Sequence, residues 1–284
     1  MSPVRGLLVI CRMVKIEHSI FALPFAYAGA FLAQGGPPAP RVLVFLTLGM
    51  VAVRSFAMAV NRAADLPFDR RNPRTAGRPL VTGEIGVRQT MVFCAGMALL
   101  FVLSSAALNS LCLVLSLPTL GLAAAYSYAK RFTWLCHFVL GAVIGLAPIA
   151  GWLGVDPRFS PVALMLGLGV FFWIAGFDIL YACQDVDFDR ENGLYSLPGR
   201  FGPSGALLVS AFCHVNTTLF LFLAGLLRGL SLGWYVPLAL AAGVLWLEHR
   251  LVKADDLSRL RLAFALNGPV SLLLLAGALF GTIF

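Results

Sequence analysis

Long apolar runs alternate with short polar segments along the whole chain. A membrane-spanning helix needs about 20 mostly apolar residues, and nine runs approach or reach that length. Because backbone groups cannot stay unpaired in lipid, these runs predict helices rather than isolated strands. The predicted spans are Ser19–Gln34, Val42–Ala64, Gln89–Leu108, Leu111–Ala129, Trp134–Leu153, Val162–Gln184, Ala206–Leu227, Leu232–Leu247 and Leu262–Phe284.

Little chain remains between the spans, so we expect residues 1–284 to form a single membrane domain. The composition supports this prediction. Hydrophobic residues make up 60% of the chain and charged residues only 12%, whereas soluble domains are about a quarter charged. The predicted fold class is therefore an all-α integral membrane protein that crosses the bilayer many times.

The basic residues are distributed unevenly between the two sides of the predicted bundle. If the N-terminus lies inside, only Arg41, Arg158 and Arg228 lie outside. Arg54 and Arg62 fall within a span, and the other sixteen of the 21 basic residues are inside: Arg5, Arg12, Lys15, Arg70, Arg71, Arg74, Arg78, Arg88, Lys130, Arg131, Arg190, Arg200, Arg250, Lys253, Arg259 and Arg261. This bias predicts that the basic loops face the cytoplasm. The net charge of +8 thus reflects topology, and without an aromatic-interleaved basic stripe we expect no nucleic-acid partner.

Seven of the 13 acidic residues fall into two short clusters, each at the inner end of a long apolar span. The first follows Arg54 at helical spacing, with intervals of seven, four and four residues through Asn61, Asp65 and Asp69. The second has intervals of three, four and four through Asp178, Tyr181, Asp185 and Asp189. Each set would share one helix face, whereas Asp187 should point away into solvent.

The two acidic clusters resemble each other in sequence. "LPFDRRN" and "VDFDREN" share F-D-R-x-N at an offset of 120 residues, which pairs Asp65 with Asp185 and Asp69 with Asp189. Membrane proteins built from repeats place shared sites between their halves. The offset therefore predicts two pseudo-repeated halves, each contributing one acidic helix end.

Facing carboxylates next to arginines indicate a chemistry. Mg²⁺ binds through one or two carboxylates plus substrate phosphates, and arginine is a bidentate partner of phosphate oxygens. The pattern predicts a Mg²⁺-diphosphate site below an apolar bundle that holds an oily group. Two alternatives remain open: acid–arginine pairs that only anchor helix ends, and a cation-coupled transporter, although transporters tend to place their acids near the bilayer midplane.

Five segments in order resemble the UbiA superfamily of intramembrane prenyltransferases. "NRAADLPFD" is similar to its N-x-x-x-D-x-x-x-D motif, and "YACQDVDFD" to its Y-A-x-x-D-x-x-x-D motif. "RNPRTAGRPL" resembles its R-T-x-x-R-P-L loop, "AYSYAKRFTWLCHFVLG" its Y-x-x-x-K-R-x-T segment, and "KIEHSIFALPFAYAGA" its first span. The resemblance is close from Lys15 to Gly202.

This resemblance implies nine transmembrane helices around a central cavity in a bacterial inner membrane. It implies Mg²⁺-dependent transfer of a polyprenyl group from its diphosphate to an aromatic acceptor, of the 4-hydroxybenzoate type, in ubiquinone or menaquinone biosynthesis. By motif, the catalytic carboxylates would be Asp65, Asp69, Asp185 and Asp189. Asn61, Asp65 and Asp69 would hold one Mg²⁺. Asp185 and Asp189 would hold the other, with Asp178 supporting them.

The resemblance also implies residues for the two substrates. Arg74, Arg78, Lys130 and Arg131 would bind the diphosphate, and Tyr126 and Tyr181 would line the cavity near the allylic carbon. Arg54 is our candidate for the carboxylate or hydroxyl of the acceptor, with an ion pair inside the bundle as the alternative.

One departure leaves the acceptor open. Most members with well-known acceptors carry N-D where this chain has Asn61-Arg62. The N-R form is similar to a bacterial branch, some of which prenylates 1,4-dihydroxy-6-naphthoate in the futalosine route to menaquinone. A haem or tetrapyrrole alcohol is a further alternative acceptor.

Overall fold

The computed structural model describes residues 3–16 and 19–283, and their regular structure is helical apart from one isolated β-bridge between Lys253 and Asp256. A 3₁₀ turn over Cys183–Asp185 joins α7 to α8. The α-helices are α1 Pro3–Val14, α2 Ser19–Gln34, α3 Pro40–Asp69, α4 Val87–Leu108, α5 Ser110–Ala129, α6 Cys136–Val155, α7 Pro161–Ala182, α8 Val186–Glu191, α9 Leu197–Arg228, α10 Leu232–Leu251 and α11 Leu260–Ile283.

Every predicted span overlaps one of these helices, and Phe284 at the end of the last span lies outside the described residues. The all-helical fold class is confirmed. In the described part of the chain, seven helical segments are long and apolar enough to cross a membrane. Helices α2 and α10 fall outside that set, and the 16 residues of α2 span only about 24 Å at 1.5 Å per residue. The protein is thus a multi-pass membrane protein, and the count of nine crossings stays a prediction.

Helices α3 and α9 are longer than their predicted spans. Helix α3 continues through Pro67 to Asp69, which keeps Asp65 and Asp69 on regular helix. Helix α9 begins at Leu197, nine residues before the predicted Ala206, and is kinked at Gly202, whose φ is 71°. Glycine tolerates this left-handed conformation, and Pro203 follows it. The kink brings the start of α9 back against the inner end of α6, where Leu197 contacts His137.

The second acidic cluster does not lie on one continuous helix. Helix α7 ends at Ala182, and the 3₁₀ turn separates Asp178 and Tyr181 from Asp189 on α8. A 3₁₀ turn rotates each residue slightly further than an α-helix does. Even so, Asp178, Tyr181, Asp185 and Asp189 all line the same pocket. Asp187 is exposed and lies outside it, as predicted.

Close helix packing forms the centre of the bundle. Helices α2 and α6 approach through glycine: a β-carbon on Gly151 would lie 1.8 Å from the Ala26 carbonyl oxygen, and one on Gly29 would lie 2.0 Å from that of Pro148. Small residues commonly mediate such contacts in membranes. Large apolar side chains such as Leu208 and Val215 are exposed on the outer face of α9, as expected for a surface in contact with lipid.

The helix bounds agree with the 120-residue offset. Helix α3, Pro40–Asp69, corresponds to 160–189, and the α7–α8 segment covers Pro161–Glu191. Helix α4, Val87–Leu108, corresponds to 207–228, which is the part of α9 after the kink. That the halves are homologous stays a prediction.

Candidate active site

The two acidic clusters meet in a pocket of about 200 Å³, which we call the polar pocket. Asp65 and Asp69 enter it from the last turns of α3. Asp185 and Asp189 enter it from the 3₁₀ turn and α8. The sequence separates the two pairs by 120 residues, and the fold brings them together as the spacing predicted.

Each of three pocket carboxylates is next to a basic side chain. Arg74 makes a bidentate contact with Asp185, with Nε donating to Oδ1 at 3.0 Å and Nη2 to Oδ2 at 2.7 Å. Arg78 Nη1 donates to Asp69 Oδ2 at 2.5 Å. Lys130 Nζ lies 4.0 Å from Asp65 Oδ2. Acids and bases thus alternate around the pocket, and the same basic groups could turn toward an anionic ligand.

The loop after α3 holds two of these arginines by local hydrogen bonds. The Arg74 backbone N–H donates to Asn72 Oδ1 at 2.9 Å, and the Thr75 hydroxyl donates to the Asp69 carbonyl at 2.9 Å. Thr75 is buried, so this turn is fixed against the end of α3. Asn and Thr favour such turns because their short side chains bond to nearby backbone.

Asn61 orients Asp65 within α3. Its Nδ2 donates to Asp65 Oδ2 at 3.0 Å, and its Oδ1 accepts from Arg62 Nη1 at 3.1 Å. Arg62 is buried and its Nε also donates to the Met13 carbonyl of α1 at 3.3 Å. Asp65 Oδ1 is buried and makes no hydrogen bond to a described residue. This oxygen is therefore available for a ligand.

Asp178 is held by a histidine that the sequence did not assign to the site. Asp178 Oδ2 and His137 Nδ1 are 2.7 Å apart, and His137 Nε2 accepts from the Leu197 backbone N–H at 3.2 Å. Because Nε2 accepts, the ring proton lies on Nδ1 and points to Asp178. His137 lines the polar pocket. The one sequence signal for it is its position seven residues after Lys130, at the same inner end of the bundle.

Arg131 does not join the other basic residues. Its Nη2 donates to the Ala64 carbonyl at 2.5 Å, and its guanidinium lies over the rings of Phe68 and Tyr128. Lys130 lines the polar pocket and Arg131 does not. Consecutive residues point in different directions at a helix end. In this structure Arg131 fastens the end of α5 to α3, and its predicted contact with the diphosphate stays a prediction.

An apolar cavity of about 470 Å³ adjoins the polar pocket. Tyr126 lines both spaces. Tyr181 lines the polar pocket, and its ring packs against Phe177 and Phe264, which line the cavity. Arg54 lines the cavity, although it shares the α3 face that carries Asn61 and Asp65. The site therefore has a charged compartment and an oily one, in contact at Tyr126.

Comparison with known proteins identifies the family. The model described as "UbiA prenyltransferase family" matches residues 22–269. The chain belongs to the UbiA prenyltransferase family. This confirms the predicted resemblance and the predicted enzyme class, a membrane prenyltransferase, and selects it over the transporter alternative.

Individual UbiA relatives match over nearly the whole chain. A 4-hydroxybenzoate octaprenyltransferase of Nitrosomonas eutropha is 32% identical over 278 residues, with 96% of each chain covered. The apo structure of a UbiA homolog from Aeropyrum pernix K1 superposes with a TM-score of 0.85 at 36% identity, covering 92% of this chain and 97% of that one. A UbiA homolog from Archaeoglobus fulgidus bound to GPP and Mg²⁺ has a TM-score of 0.71 at 22% identity, covering 95% and 98%, and shows likeness of fold.

The donor set of this UbiA site fits a hard cation that is completed by substrate. Among the residues the structure describes, no group of three or more His, Cys, Asp or Glu side chains could hold a metal ion. Five aspartates and Asn61 nevertheless line one pocket, and Asp65 offers a buried oxygen that has no hydrogen-bond partner among the described residues. Mg²⁺ usually takes one or two carboxylates and fills its remaining positions with phosphate oxygens and water.

Proposed function

We propose that this UbiA enzyme transfers a polyprenyl group from a polyprenyl diphosphate to an aromatic acceptor of the 4-hydroxybenzoate type, with Mg²⁺, in ubiquinone or menaquinone biosynthesis. The observation that carries the proposal is the contact at Tyr126 between the polar pocket and the apolar cavity. The name of the Nitrosomonas relative supports the acceptor class. The GPP and Mg²⁺ bound to the Archaeoglobus homolog support the donor and the metal.

In the proposed reaction, Arg74, Arg78 and Lys130 bind the diphosphate in the polar pocket. Each leaves its aspartate, which frees Asp185, Asp69 and Asp65 as ligands. Asn61, Asp65 and Asp69 would then hold one Mg²⁺, and Asp185 and Asp189 the other, with Asp178 beside them. Bound there, Mg²⁺ would stabilise negative charge on the departing diphosphate.

The apolar cavity supplies the second requirement, which is protection of an allylic cation from water. The C–O bond breaks with its electron pair on the diphosphate, and the cation forms near Tyr126 and Tyr181. Aromatic ring faces attract cations, and the packed rings of Tyr181, Phe177 and Phe264 provide such faces. A ring carbon of the acceptor then bonds to the cation, and the proton on that carbon passes to a base.

Arg54 is our proposed binding residue for the acceptor carboxylate. It is a cationic residue in the lining of a mostly apolar cavity. Guanidinium and carboxylate groups form strong bidentate pairs in such surroundings. Holding the acceptor beside the cation replaces a collision in the membrane with an oriented contact.

We further propose that the enzyme lies in a bacterial inner membrane with the polar pocket on the cytoplasmic side. The distribution of basic residues supports this orientation. The diphosphate group would then reach the pocket from the cytoplasmic side, while the prenyl chain would occupy the apolar cavity.

The direct test is a transfer assay with membranes that contain this chain, Mg²⁺ and a labelled polyprenyl diphosphate. Separate reactions receive 4-hydroxybenzoate or 1,4-dihydroxy-6-naphthoate. We expect a prenylated product that EDTA abolishes. Absence of product from both acceptors, with folded protein and intact diphosphate, would contradict the proposal.

One observation keeps the naphthoate as a second candidate acceptor. Arg62 is buried beside the site and bonds to Asn61 Oδ1, at a position where most members of the family with well-known acceptors carry an acid. If product forms only with 1,4-dihydroxy-6-naphthoate, that compound is the acceptor and the prenyl-transfer reaction is otherwise the one proposed above.

A further inference from the structure

A cluster of buried polar side chains lies beyond the polar pocket, on the α7, α10 and α11 side of the apolar cavity. Glu248 of α10 has no exposed surface, and its Oε1 accepts from Asn267 Nδ2 of α11 at 2.5 Å. Asn267 Oδ1 accepts from Trp173 Nε1 of α7 at 2.8 Å. Trp173 and Asn267 both line the apolar cavity. A carboxylate buried in the bundle is thus connected to the cavity wall through a single amide.

The partners of Asn267 determine which way its amide points. An indole N–H can only donate, so the atom facing Trp173 must be the amide oxygen. The Ala263 carbonyl can only accept, and it receives a second bond from Nδ2 at 3.1 Å. Both N–H groups of Asn267 are therefore used, by Glu248 and by Ala263. None of these three partners uses the second lone pair of Oδ1, and Asn267 is part of the cavity lining.

The amide oxygen of Asn267 is held in one orientation, unlike the hydroxyl groups of the cavity lining. Ser116 and Thr119 line the cavity too, but each hydroxyl donates to a carbonyl of its own helix, Leu113 at 2.7 Å and Leu115 at 2.7 Å. Such hydroxyls can rotate to suit a neighbour. Asn267 cannot turn without breaking bonds to two other helices.

Burial of Glu248 gives a reason to regard the cluster as functional. Ionisable groups inside membrane bundles are costly and mark functional sites by default. Glu248 Oε2 lies 3.9 Å from His214 Nδ1, and that ring nitrogen is 2.9 Å from His249 Nε2. Glu248 Oε2 makes no hydrogen bond to a described residue, so the bond from Asn267 to Oε1 is the one that ties this carboxylate to the cavity lining. Glu248 therefore acts on the cavity by fixing the orientation of the Asn267 amide.

We propose that Asn267 is a specificity-determining residue that accepts a hydrogen bond from the hydroxyl group of the aromatic acceptor, and that Glu248 is its positioning residue. This inference rests on the proposed function, because it concerns the same acceptor cavity. Arg54 from α3 would bind the carboxylate of the acceptor and Asn267 from α11 its hydroxyl. Phenolic carboxylates then bind in preference to aromatic carboxylates that lack the hydroxyl.

The test measures binding of 4-hydroxybenzoate and benzoate to the purified full-length protein in detergent by calorimetry. The wild type should bind 4-hydroxybenzoate more tightly than benzoate, by about 10-fold for one buried hydrogen bond. In Asn267→Leu this preference should fall to about 2-fold or less, with benzoate affinity unchanged. The matched control is Asn216→Leu, because Asn216 is a half-buried residue of α9 that lies outside the cavity lining and bonds to its own helix at Phe212.

Further variants separate the proposal from a loss of folding. Asn267→Leu leaves both Glu248 and the Trp173 N–H buried without a partner. The double variant Glu248→Met with Asn267→Leu removes the unpaired carboxylate and leaves only the Trp173 N–H unpaired, so it should be the more stable of the two. It should also lose the preference. Glu248→Gln can still accept from Asn267 and should keep the preference, whereas Glu248→Met alone should reduce it.

Either of two results would overturn the inference: equal wild-type affinity for the two ligands, or an Asn267→Leu variant with the wild-type preference. Prenyl transfer by the wild type is measured in parallel. Hydroxyl-dependent binding without transfer would contradict the proposed function and leave the inference standing, so the two failures are distinguishable.

Discussion

Asp65 and Asp185 are the pocket residues on which the proposed metal chemistry depends most directly. Asp65 carries a buried oxygen without a hydrogen-bond partner in the described chain, and Asp185 holds Arg74 by two bonds. Changing either to Asn keeps the side-chain shape and removes the negative charge that a cation needs. We expect Asp65→Asn and Asp185→Asn each to lower kcat/KM by at least about 100-fold, measured by prenyl transfer in membranes.

Asp187 provides the matched control for these two variants. It lies two residues from both Asp185 and Asp189, but it is exposed and outside the polar pocket. Asp187→Asn should keep wild-type transfer. Full activity in Asp65→Asn or Asp185→Asn, or an equal loss in all three variants, would remove the assignment of these carboxylates.

The contrast between Arg74 and Arg131 gives a second prediction for single residues. Arg74 faces the polar pocket, whereas Arg131 bonds to the Ala64 carbonyl and lies over Phe68 and Tyr128. Arg74→Lys should raise the KM for the diphosphate about 10-fold, because lysine cannot make the bidentate contact, with little change in Tm. Arg131→Lys should lower the free energy of unfolding by about 1 kcal/mol with an unchanged KM. The reverse pattern would restore Arg131 to the diphosphate site.

The close contact of α2 with α6 leads to a prediction about helix packing. A β-carbon on Gly151 would lie 1.8 Å from the Ala26 carbonyl oxygen, so the two helices must separate to accept it. We expect Gly151→Ala to lower the free energy of unfolding by about 2 kcal/mol, seen as a lower Tm in detergent. Gly121 of α5 has nothing within 4 Å of such a β-carbon, so Gly121→Ala should be neutral or stabilising. Similar melting of both variants would disprove the packing argument.

At the level of helices, the sequence predicts where each helix lies along the chain better than it predicts which helices pack together. Hydropathy predicts the helix locations because a helix that crosses a membrane needs a long apolar run of residues. Spacing paired Asp65 with Asp69 and Asp185 with Asp189 because one turn of helix is a local property. The apolar run Leu232–Leu247 ends at Glu248, so hydropathy alone predicts that the span ends before this charged residue. In the structure α10 continues to Leu251 and buries that charge against Asn267.

Contacts between helices account for what the sequence could not supply. His137 and Asp178 are 41 residues apart and meet only because α6 packs against α7. Trp173 and Asn267 are 94 residues apart and meet across α7 and α11. The motif resemblance groups Arg131 with Lys130, whereas the direction of each side chain at the end of α5 depends on contacts with α3. Sequence patterns define the faces of helices, and tertiary packing decides what each face contacts.

At the scale of the whole molecule, the helices place the polar pocket and the three outer arginines at opposite ends. Helix α3 begins beside Arg41 and ends at Asp69, and α9 begins beside His137 and ends at Arg228. Two of these arginines bond to backbone carbonyls at helix ends: Arg41 to Ala107 at 2.7 Å and Arg228 to Leu32 at 2.9 Å. Arg158 pairs with Asp156 in the loop before α7. The three basic residues on that side thus bond to helix ends or to a turn. Most basic residues lie in the loops around the polar pocket, which supports the proposed cytoplasmic position of the pocket.

Thiol labelling tests this orientation with one position on each side. Gln34 is exposed at the outer end of α2, and Asp255 is exposed in the segment between α10 and α11. Each is replaced singly by cysteine in a Cys11→Ser background, because the other five native cysteines are buried. With a membrane-impermeant maleimide on intact bacterial cells, Gln34→Cys should be labelled and Asp255→Cys should be protected. In inverted membrane vesicles the pattern should reverse, which shows that both thiols can react. Labelling of Asp255→Cys in intact cells, with Gln34→Cys protected, would place the polar pocket outside the cytoplasm and away from a cytoplasmic supply of diphosphate.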